Sequence, residues 1–226
     1  ANADTLSELR AYNAELVEQY AQMEEYRQEN ERLRQLVDLK DTYGIEGVGA
    51  RVIGNPAGAW DQTVTIDKGT DDGVGTGLTV MGTSGVVGQV VAADARTATV
   101  RLLTDPKSGA AAIVQSSRAQ GVVRGSLEGL LYLEDLEADA EVSEGDVVVT
   151  SGLGGSYTRG LVIGTVVKVD AKQGDSSRRA VVSPNESASA LEEVLVVFSA
   201  LGDDGDGADG NGGADAVDDG EGGGAS

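Results

Sequence analysis

The chain has 226 residues, a formal net charge of −21, and neither cysteine nor histidine. Without these two residue types, disulfides, thiolate nucleophiles, cysteine metal sites and the usual general base near neutral pH are excluded. No segment is basic, which disfavours binding to nucleic acid or anionic lipid through bulk charge. No apolar run reaches the roughly 20 residues of a membrane span.

The first predicted element is a long helix over residues 4–41, which contain no Gly or Pro and many good helix formers. Gly44 follows as a candidate C′ residue. With Leu9 at position a of a heptad, most a and d positions are apolar or aromatic, which is typical of a coiled coil. The predicted seam comprises Leu9, Leu16, Met23, Asn30 and Val37 at a, with Tyr12, Tyr26 and Leu33 at d. Gln19 and Lys40 at the other d positions weaken it.

This seam predicts a parallel homodimer formed through a dimerisation helix at residues 1–43. Asn30 at an a position favours two strands in register, because it can pair with its counterpart across the axis. Glu29 at g and Arg34 at e are placed for an ion pair between the two helices. The alternative is a single helix packed on its own domain. About 38 residues span roughly 57 Å, however, which is more than a small barrel covers.

Residues 44–200 are predicted to be almost entirely β, with short strands between turn signals such as Gly54-Asn55-Pro56. The predicted strands lie near Val48–Ile53, Gln62–Asp67, Leu78–Met81, Gly85–Ala92, Ala98–Leu103, Ala111–Gln115, Gly121–Arg124, Leu130–Glu134, Asp146–Thr150, Leu161–Val169, Arg178–Ser183 and Glu192–Phe198. Twelve strands with glycine corners favour two six-stranded barrels over a single sandwich. The boundary is placed near residues 104–110, and a return of the C-terminal strands to the first barrel stays open.

The stretch Val142–Val169 predicts a strand, a glycine-rich corner and a second strand. A shorter version lies upstream, where Val74-x-x-Gly77-x-x-Val80 matches Val142-x-x-Gly145-x-x-Val148 and Val86–Val90 matches Val162–Val166. This repeat predicts two similar barrels in tandem. Glycine inside a strand indicates a bend or a close backbone approach. The candidate structural glycines are Gly88, Gly152, Gly154, Gly155, Gly160 and Gly164.

The last segment, residues 201–226, holds 10 Gly and 8 acidic residues with no base. It carries too little apolar surface to offset its ordering entropy, so we predict a disordered tail.

Patterns for catalysis or ion binding are missing or broken. The chain has no G-x-x-x-x-G-K-[ST] phosphate loop, and Ala208 interrupts the only calcium-loop pattern in the tail. Lys68 and Lys168 are candidates for a Ser–Lys pair, but no serine is marked as the partner. The carboxylate pairs Asp71/Asp72 and Glu134/Asp135 stand beside turns. We therefore expect no enzymatic activity, cofactor or metal. The alternatives are a double-barrel hydrolase and a secreted or surface carbohydrate-binding module.

Several motifs occur in the same order as in a known family. They include Glu29-Asn30-x-x-Leu33-Arg34-x-Leu36, Ile66–Val74, Gly85–Val90, Gly145–Gly155 and Gly160-Leu161-x-Ile163-Gly164-x-Val166. Together they resemble the MreC family of rod shape-determining proteins, from about Asn30 to Phe198. The family usually has Phe-Pro in the corner where this chain has Tyr157-Thr158, which predicts a looser turn there. The acidic tail is similar to those of high-GC bacterial members.

The resemblance implies a non-enzymatic scaffold of the cell-wall elongation machinery. It implies a single-pass membrane anchor before residue 1 and a position at the extracytoplasmic face of the bacterial inner membrane. It also implies a homodimer or filament, with MreD, RodZ, the MreB complex and the elongation transpeptidase of the penicillin-binding class as partners. No partner-contact residue is transferred, because no motif marks the contact surface.

Overall fold

The structure is a computed structural model that describes residues 2–54, 62–137, 139–155, 157–170, 179–186 and 191–199. Side chains in the helix are described from Arg10 onward. The Leu9 side chain of the predicted seam and the predicted tail, residues 201–226, lie outside the described residues.

One long helix, α1 (Asn2–Tyr43), opens the fold. Its 42 residues correspond to a length of about 63 Å at 1.5 Å per residue. The helix ends at Gly44, whose φ of 57° is a left-handed conformation that glycine adopts without strain. The Gly44 amide donates to the Asp41 carbonyl at 3.4 Å, and the Ile45 amide donates to the Lys40 carbonyl at 2.8 Å. These two bonds form a Schellman cap, so the predicted C′ glycine is confirmed.

Twelve strands follow the helix within the described residues, and each overlaps one predicted strand. They are β1 (Glu46–Gly54), β2 (Thr63–Ile66), β3 (Thr79–Met81), β4 (Val86–Ala93), β5 (Ala98–Leu102), β6 (Gly109–Val114), β7 (Gln120–Gly125), β8 (Leu131–Glu134), β9 (Val147–Thr150), β10 (Val162–Asp170), β11 (Arg179–Pro184) and β12 (Glu193–Ser199). Valine-rich runs favour strands, and the Gly and Asp residues between them favour turns.

The strands close into two antiparallel barrels of six strands each. The first barrel has the order β1-β12-β3-β4-β5-β2, and the second has the order β10-β11-β8-β7-β6-β9. The predicted fold class, a helix followed by two six-stranded barrels, is confirmed. The last strand, β12, returns to the first barrel and pairs with β1 and β3. The second barrel, β6–β11, is therefore inserted between β5 and β12 of the first.

Each barrel encloses its own core of small aliphatic side chains. In the first barrel, Ile66, Val80 and Val100 have no exposed surface. The core of the second barrel continues through the contact between the barrels to Met81 and Leu195 of the first, and reaches Leu36 and Ile45 at the end of α1. The two barrels and the end of the helix are thus joined by one continuous apolar cluster.

The predicted sequence repeat is visible in the backbone hydrogen bonds. Gly77 and Gly145 have φ values of 89° and 94°, and their amides donate to the carbonyls of Val90 and Val166, each at 2.8 Å. The 8 additional residues of the second copy lie in the corner between its two strands.

Candidate interaction surfaces

The C-terminal part of α1 packs along the barrels through one face. Glu29, Arg32, Leu36, Leu39 and Tyr43 are the buried or half-buried side chains from position 29 to the end of the helix. Their spacing of three and four residues places them on a single stripe. Leu36 is buried, and Leu39 and Tyr43 pack against the same apolar cluster. We call these five residues the barrel stripe.

Ion pairs attach the N-terminal end of the barrel stripe, at Glu29 and Arg32, to the first barrel. The Arg32 guanidinium pairs with the carboxylate of Glu192 and donates from Nε to the Glu193 carboxylate at 2.7 Å. Arg51 of β1 pairs with Glu29. Glu193 is buried, so its carboxylate depends on Arg32 for compensation of its charge. The hydrogen bond to Glu193 raises the pKa of Arg32 above its ordinary value.

A cleft of about 450 Å³ lies between the helix and the first barrel at these ion pairs. Its charged lining consists of four carboxylates, from Glu25, Glu29, Glu192 and Glu193, and two guanidiniums, from Arg32 and Arg51. The lining therefore carries a net charge of −2 by simple count. We call this space the helix–barrel cleft.

The predicted dimer seam lies on a different face of α1 and is exposed. The large seam side chains are exposed by 43% at Leu16, 71% at Met23 and 64% at Tyr26. Tyr12, Leu33 and Val37 are exposed as well. At 100° per residue, the seam is rotated about 100° from the barrel stripe. A second helix therefore fits along the seam while the barrel occupies the other stripe.

The glycine-rich corner between β9 and β10 lies where the barrels meet. Gly152, Gly154, Gly155 and Gly160 all have φ between 64° and 82°. Tyr157 is buried in the corner and hydrogen-bonds with Ser108. This burial raises the pKa of the Tyr157 phenol, an effect that the hydrogen bond and the positive charge of Arg101 partly oppose.

Both backbone polar groups of Thr158 are hydrogen-bonded. Its amide donates to the Thr79 hydroxyl on β3 at 2.8 Å, and its carbonyl accepts from the Thr150 hydroxyl at 2.6 Å. Proline has no amide hydrogen, so the bond to Thr79 is specific to a chain that departs from the Phe-Pro pattern at this corner. Thr158 thereby ties the corner of the second barrel to the first.

The two lysines that resembled catalytic bases are both paired with carboxylates. The Lys68 ammonium lies 3.4 Å from Asp72, and the Lys168 ammonium lies 3.1 Å from Asp170. Glu134 and Asp135 both face Arg124, at 3.6 Å. These are ordinary surface ion pairs.

No group of three acidic side chains in the described part of the chain is arranged to hold a metal ion. Among the described residues, no helix combines the length and apolarity needed to cross a bilayer. Among the described residues, the exposed aromatic side chains, which a sugar-binding platform would require, are Tyr12, Tyr20 and Tyr26 on the helix and Phe198 on β12. Tyr132 on the second barrel is covered by Arg179, whose guanidinium carbon lies 4.9 Å from the ring centroid.

The barrel-forming part of the chain matches a known protein family. Residues 52–198 fit the family described as the rod shape-determining protein MreC, barrel core. The chain belongs to the MreC family. The resemblance drawn from the sequence motifs is confirmed.

Curated MreC relatives are cell shape-determining proteins that are longer than this chain. The one from Listeria monocytogenes is 36% identical over 193 residues, which cover 81% of this chain and 65% of the relative. The one from Escherichia coli is 34% identical over 169 residues, which cover 74% of this chain and 45% of the relative. The chain thus spans between 45% and 65% of the length of these two relatives.

Solved MreC structures share this architecture. One superposes with a TM-score of 0.69 at 32% identity, covering 76% of this chain and 99% of the other. At 23% identity, the same fold occurs in the major periplasmic domain of the cell shape-determining filament MreC, with a TM-score of 0.60 over 67% of this chain and 97% of that one. At 15% identity, it occurs in the Helicobacter pylori MreC solved in complex with the penicillin-binding protein PBP2, with a TM-score of 0.55 over 69% of this chain and 99% of that one.

The sequence patterns did not reveal the barrel stripe or its ion pairs. The stripe residues Leu36, Leu39 and Tyr43 follow the same three-and-four spacing as the seam. This second apolar stripe is the sequence feature from which contact between the helix and the barrels could have been predicted. The pairing of Arg32 with Glu192 and Glu193 joins residues about 160 positions apart, and nothing in the local sequence marks it.

Proposed function

We propose that this chain is the extracytoplasmic scaffold of a bacterial cell-wall elongation machinery, which maintains cell shape by linking peptidoglycan synthases to the membrane and the cytoskeletal complex. The observation that carries the proposal is the match to the MreC barrel core over residues 52–198. The names of the relatives, which are cell shape-determining proteins, support the same role.

In this proposal α1 stands between a single-pass membrane anchor and the barrels. The structure of a relative's periplasmic domain supports the placement at the outer face of the inner membrane. An exposed apolar seam along the helix supports self-association, since such a stripe on a monomer is an unsatisfied surface.

The proposed partners are MreD, RodZ, the MreB complex and the elongation transpeptidase of the penicillin-binding class. For the transpeptidase, the complex of the Helicobacter pylori relative with PBP2 is the supporting observation. For the other three, the support is the family resemblance.

Depletion of the full-length protein in the bacterium that encodes it tests the role in cell shape. We expect cells to widen and lose their rod shape, and to recover when the gene is restored. A second arm measures binding of the purified chain to the elongation transpeptidase of the same bacterium by biolayer interferometry, with the division transpeptidase as the control. Unchanged cell dimensions after depletion would contradict the role, and equal binding to both transpeptidases would contradict the specific partnership.

A further inference from the structure

We propose that in the dimer Arg34 of one copy enters the helix–barrel cleft of the other, beside Glu29, whose carboxylate then links the partner's helix to Arg51 of its own first barrel. This inference rests on the parallel dimer of the proposed function. It adds a contact that the seam alone does not provide, because the partner copy supplies a residue to a site formed by α1 and the first barrel.

The heptad places the two residues opposite each other. With Leu16 and Met23 at a, Glu29 occupies a g position and Arg34 the following e position. In a parallel two-stranded coil, a g residue faces the next e residue of the partner helix. Glu29 belongs to the barrel stripe, which lies on the g side of the seam. The partner's Arg34 therefore arrives on the side of α1 where the first barrel lies.

Glu29 stands at the edge of the helix–barrel cleft and can accept a second partner. Its carboxylate is already paired with Arg51 of β1, and its side chain remains 27% exposed. A carboxylate has two oxygens with about four lone-pair sites, so one guanidinium does not saturate it. Arg51 pairs the carboxylate with the barrel, and the exposed part of the Glu29 side chain is available to the incoming arginine.

The charges of the two surfaces are complementary. The lining of the cleft has a net charge of −2, and its volume of about 450 Å³ leaves room for a side chain. Arg34 is exposed, and it forms no ion pair within the described part of its own chain. Its planar guanidinium carries five donors, so it can bind Glu29 and Glu25, one helical turn away, at once.

In this dimer, contacts within one chain and contacts between the two chains meet where the helix joins the first barrel. Arg32 pairs with Glu192 and Glu193 within one chain, and Arg34 pairs with Glu29 between chains. The angle between the coil and the barrels is then set by both protomers together. Dimerisation would make the junction more rigid, because the Glu29 carboxylate would then be held both by Arg51 of its own first barrel and by the partner's Arg34.

The first test measures dimer affinity by sedimentation equilibrium across a concentration series. We expect Arg34→Glu to weaken dimerisation about tenfold at low salt, since an attraction becomes a repulsion at two symmetry-related sites. The difference should shrink at high ionic strength, where exposed charges are screened. Arg10→Glu is the matched control, because position 10 is at b, outside the seam and its flanks, and carries the same charge change.

The second test maps the contact by cross-linking, which the absence of native cysteine makes unambiguous. An Arg34→Cys chain labelled with nitrogen-15 is mixed with an unlabelled Glu192→Cys chain and treated with a short bismaleimide. We expect mass spectrometry to find linked peptides joining position 34 of a labelled chain to position 192 of an unlabelled one. The same mixture with Arg10→Cys in place of Arg34→Cys should give none.

The outcomes separate this inference from the dimer on which it rests. A wild-type chain that stays monomeric at high concentration overturns both. A wild-type dimer that Arg34→Glu and Arg10→Glu weaken equally, with no link between positions 34 and 192, overturns the cleft contact and leaves the dimer standing. A selective effect of Arg34→Glu together with the expected link supports the contact.

Discussion

At the residue scale, the glycines inside strands are places where two backbones approach closely. A Cβ atom on Gly88 would overlap the carbonyl oxygen of Arg101, and one on Gly164 would overlap the carbonyl oxygen of Ser183. In each barrel the clash is with the next strand, at an equivalent position of the repeat. The neighbouring atoms belong to the backbone, so no side-chain rotation relieves the overlap.

We therefore predict that Gly164→Ala lowers the free energy of unfolding by about 1–3 kcal/mol, the usual cost of overpacking. The added Cβ would also lie 2.9 Å from the Ser183 carbonyl carbon and 3.0 Å from the Pro184 Cα. Gly49→Ala in β1 is the control, because its Cβ would meet nothing within 4 Å and its φ is not left-handed. Urea denaturation of the three proteins measures the difference. Equal stabilities would show that the second barrel adjusts to the extra atom.

The buried Tyr157 phenol makes the stability of the fold depend on pH in the alkaline range. Burial raises the pKa of its phenol in the folded state, so above about pH 10 the unfolded chain ionises first and gains stability relative to the folded one. The stabilising contribution is complete below about pH 10 and is lost as the pH rises further. We expect the wild-type melting temperature to fall more steeply than that of Tyr157→Phe in this range, which thermal unfolding monitored by circular dichroism measures.

The Tyr157→Phe comparison isolates this effect, because the two proteins differ in no other ionisable group. At neutral pH the variant should be slightly less stable, by about 1 kcal/mol, because it loses the hydrogen bond with Ser108. Parallel melting curves across the whole pH series would contradict the assignment of a buried, ionisable phenol to the corner.

At the scale of elements, local pattern was sufficient to predict the helix and all twelve strands. Valine-rich runs alternate with glycine and aspartate turns along the chain, and these preferences act over a few residues. The return of β12 to the first barrel is different. Any strand of similar composition offers the same backbone groups for pairing, so the choice of β1 and β3 depends on tertiary packing that period and propensity do not encode.

The packing of the helix is also not encoded in the local sequence pattern. Leu33 and Leu36 are equally apolar and three residues apart, yet Leu33 is 44% exposed and Leu36 is buried against the barrels. A heptad assignment gives one of them to the seam and the other to its flank, but it does not say which surface covers each. The missing information is the position of the barrel, which is fixed by the cap at Gly44 and by the ion pairs of Arg32.

At the scale of the whole molecule, α1 extends well beyond the barrels. Every side chain from Arg10 to Met23 is exposed, while the barrel stripe occupies only the end of the helix. The exposed part contains Tyr12, Leu16 and Met23 of the seam, and an apolar stripe of this length requires a partner to cover it. Since the barrels cannot reach it, a second copy of the helix is the partner that the heptad favours.

We predict that Leu16→Asp combined with Leu33→Asp abolishes dimerisation and leaves the barrels folded. Both residues belong to the seam and are 43% and 44% exposed in the single chain, so the substitutions remove no contact with the barrel core. Sedimentation across a concentration series measures the association, and thermal unfolding checks the barrels. The control is Val17→Asp with Gln35→Asp, which adds the same charges at positions b and f, outside the seam.

We expect the wild type and the control to associate with micromolar affinity, because Gln19, Asn30 and Lys40 weaken the seam. In the cell, a membrane anchor would raise the local concentration of the chains and strengthen this association without any new contact. Monomers of all three proteins at high concentration would show that the seam does not pair. Equal dimerisation of all three would instead place the contact on the barrels, since the two aspartates would then lie in no interface.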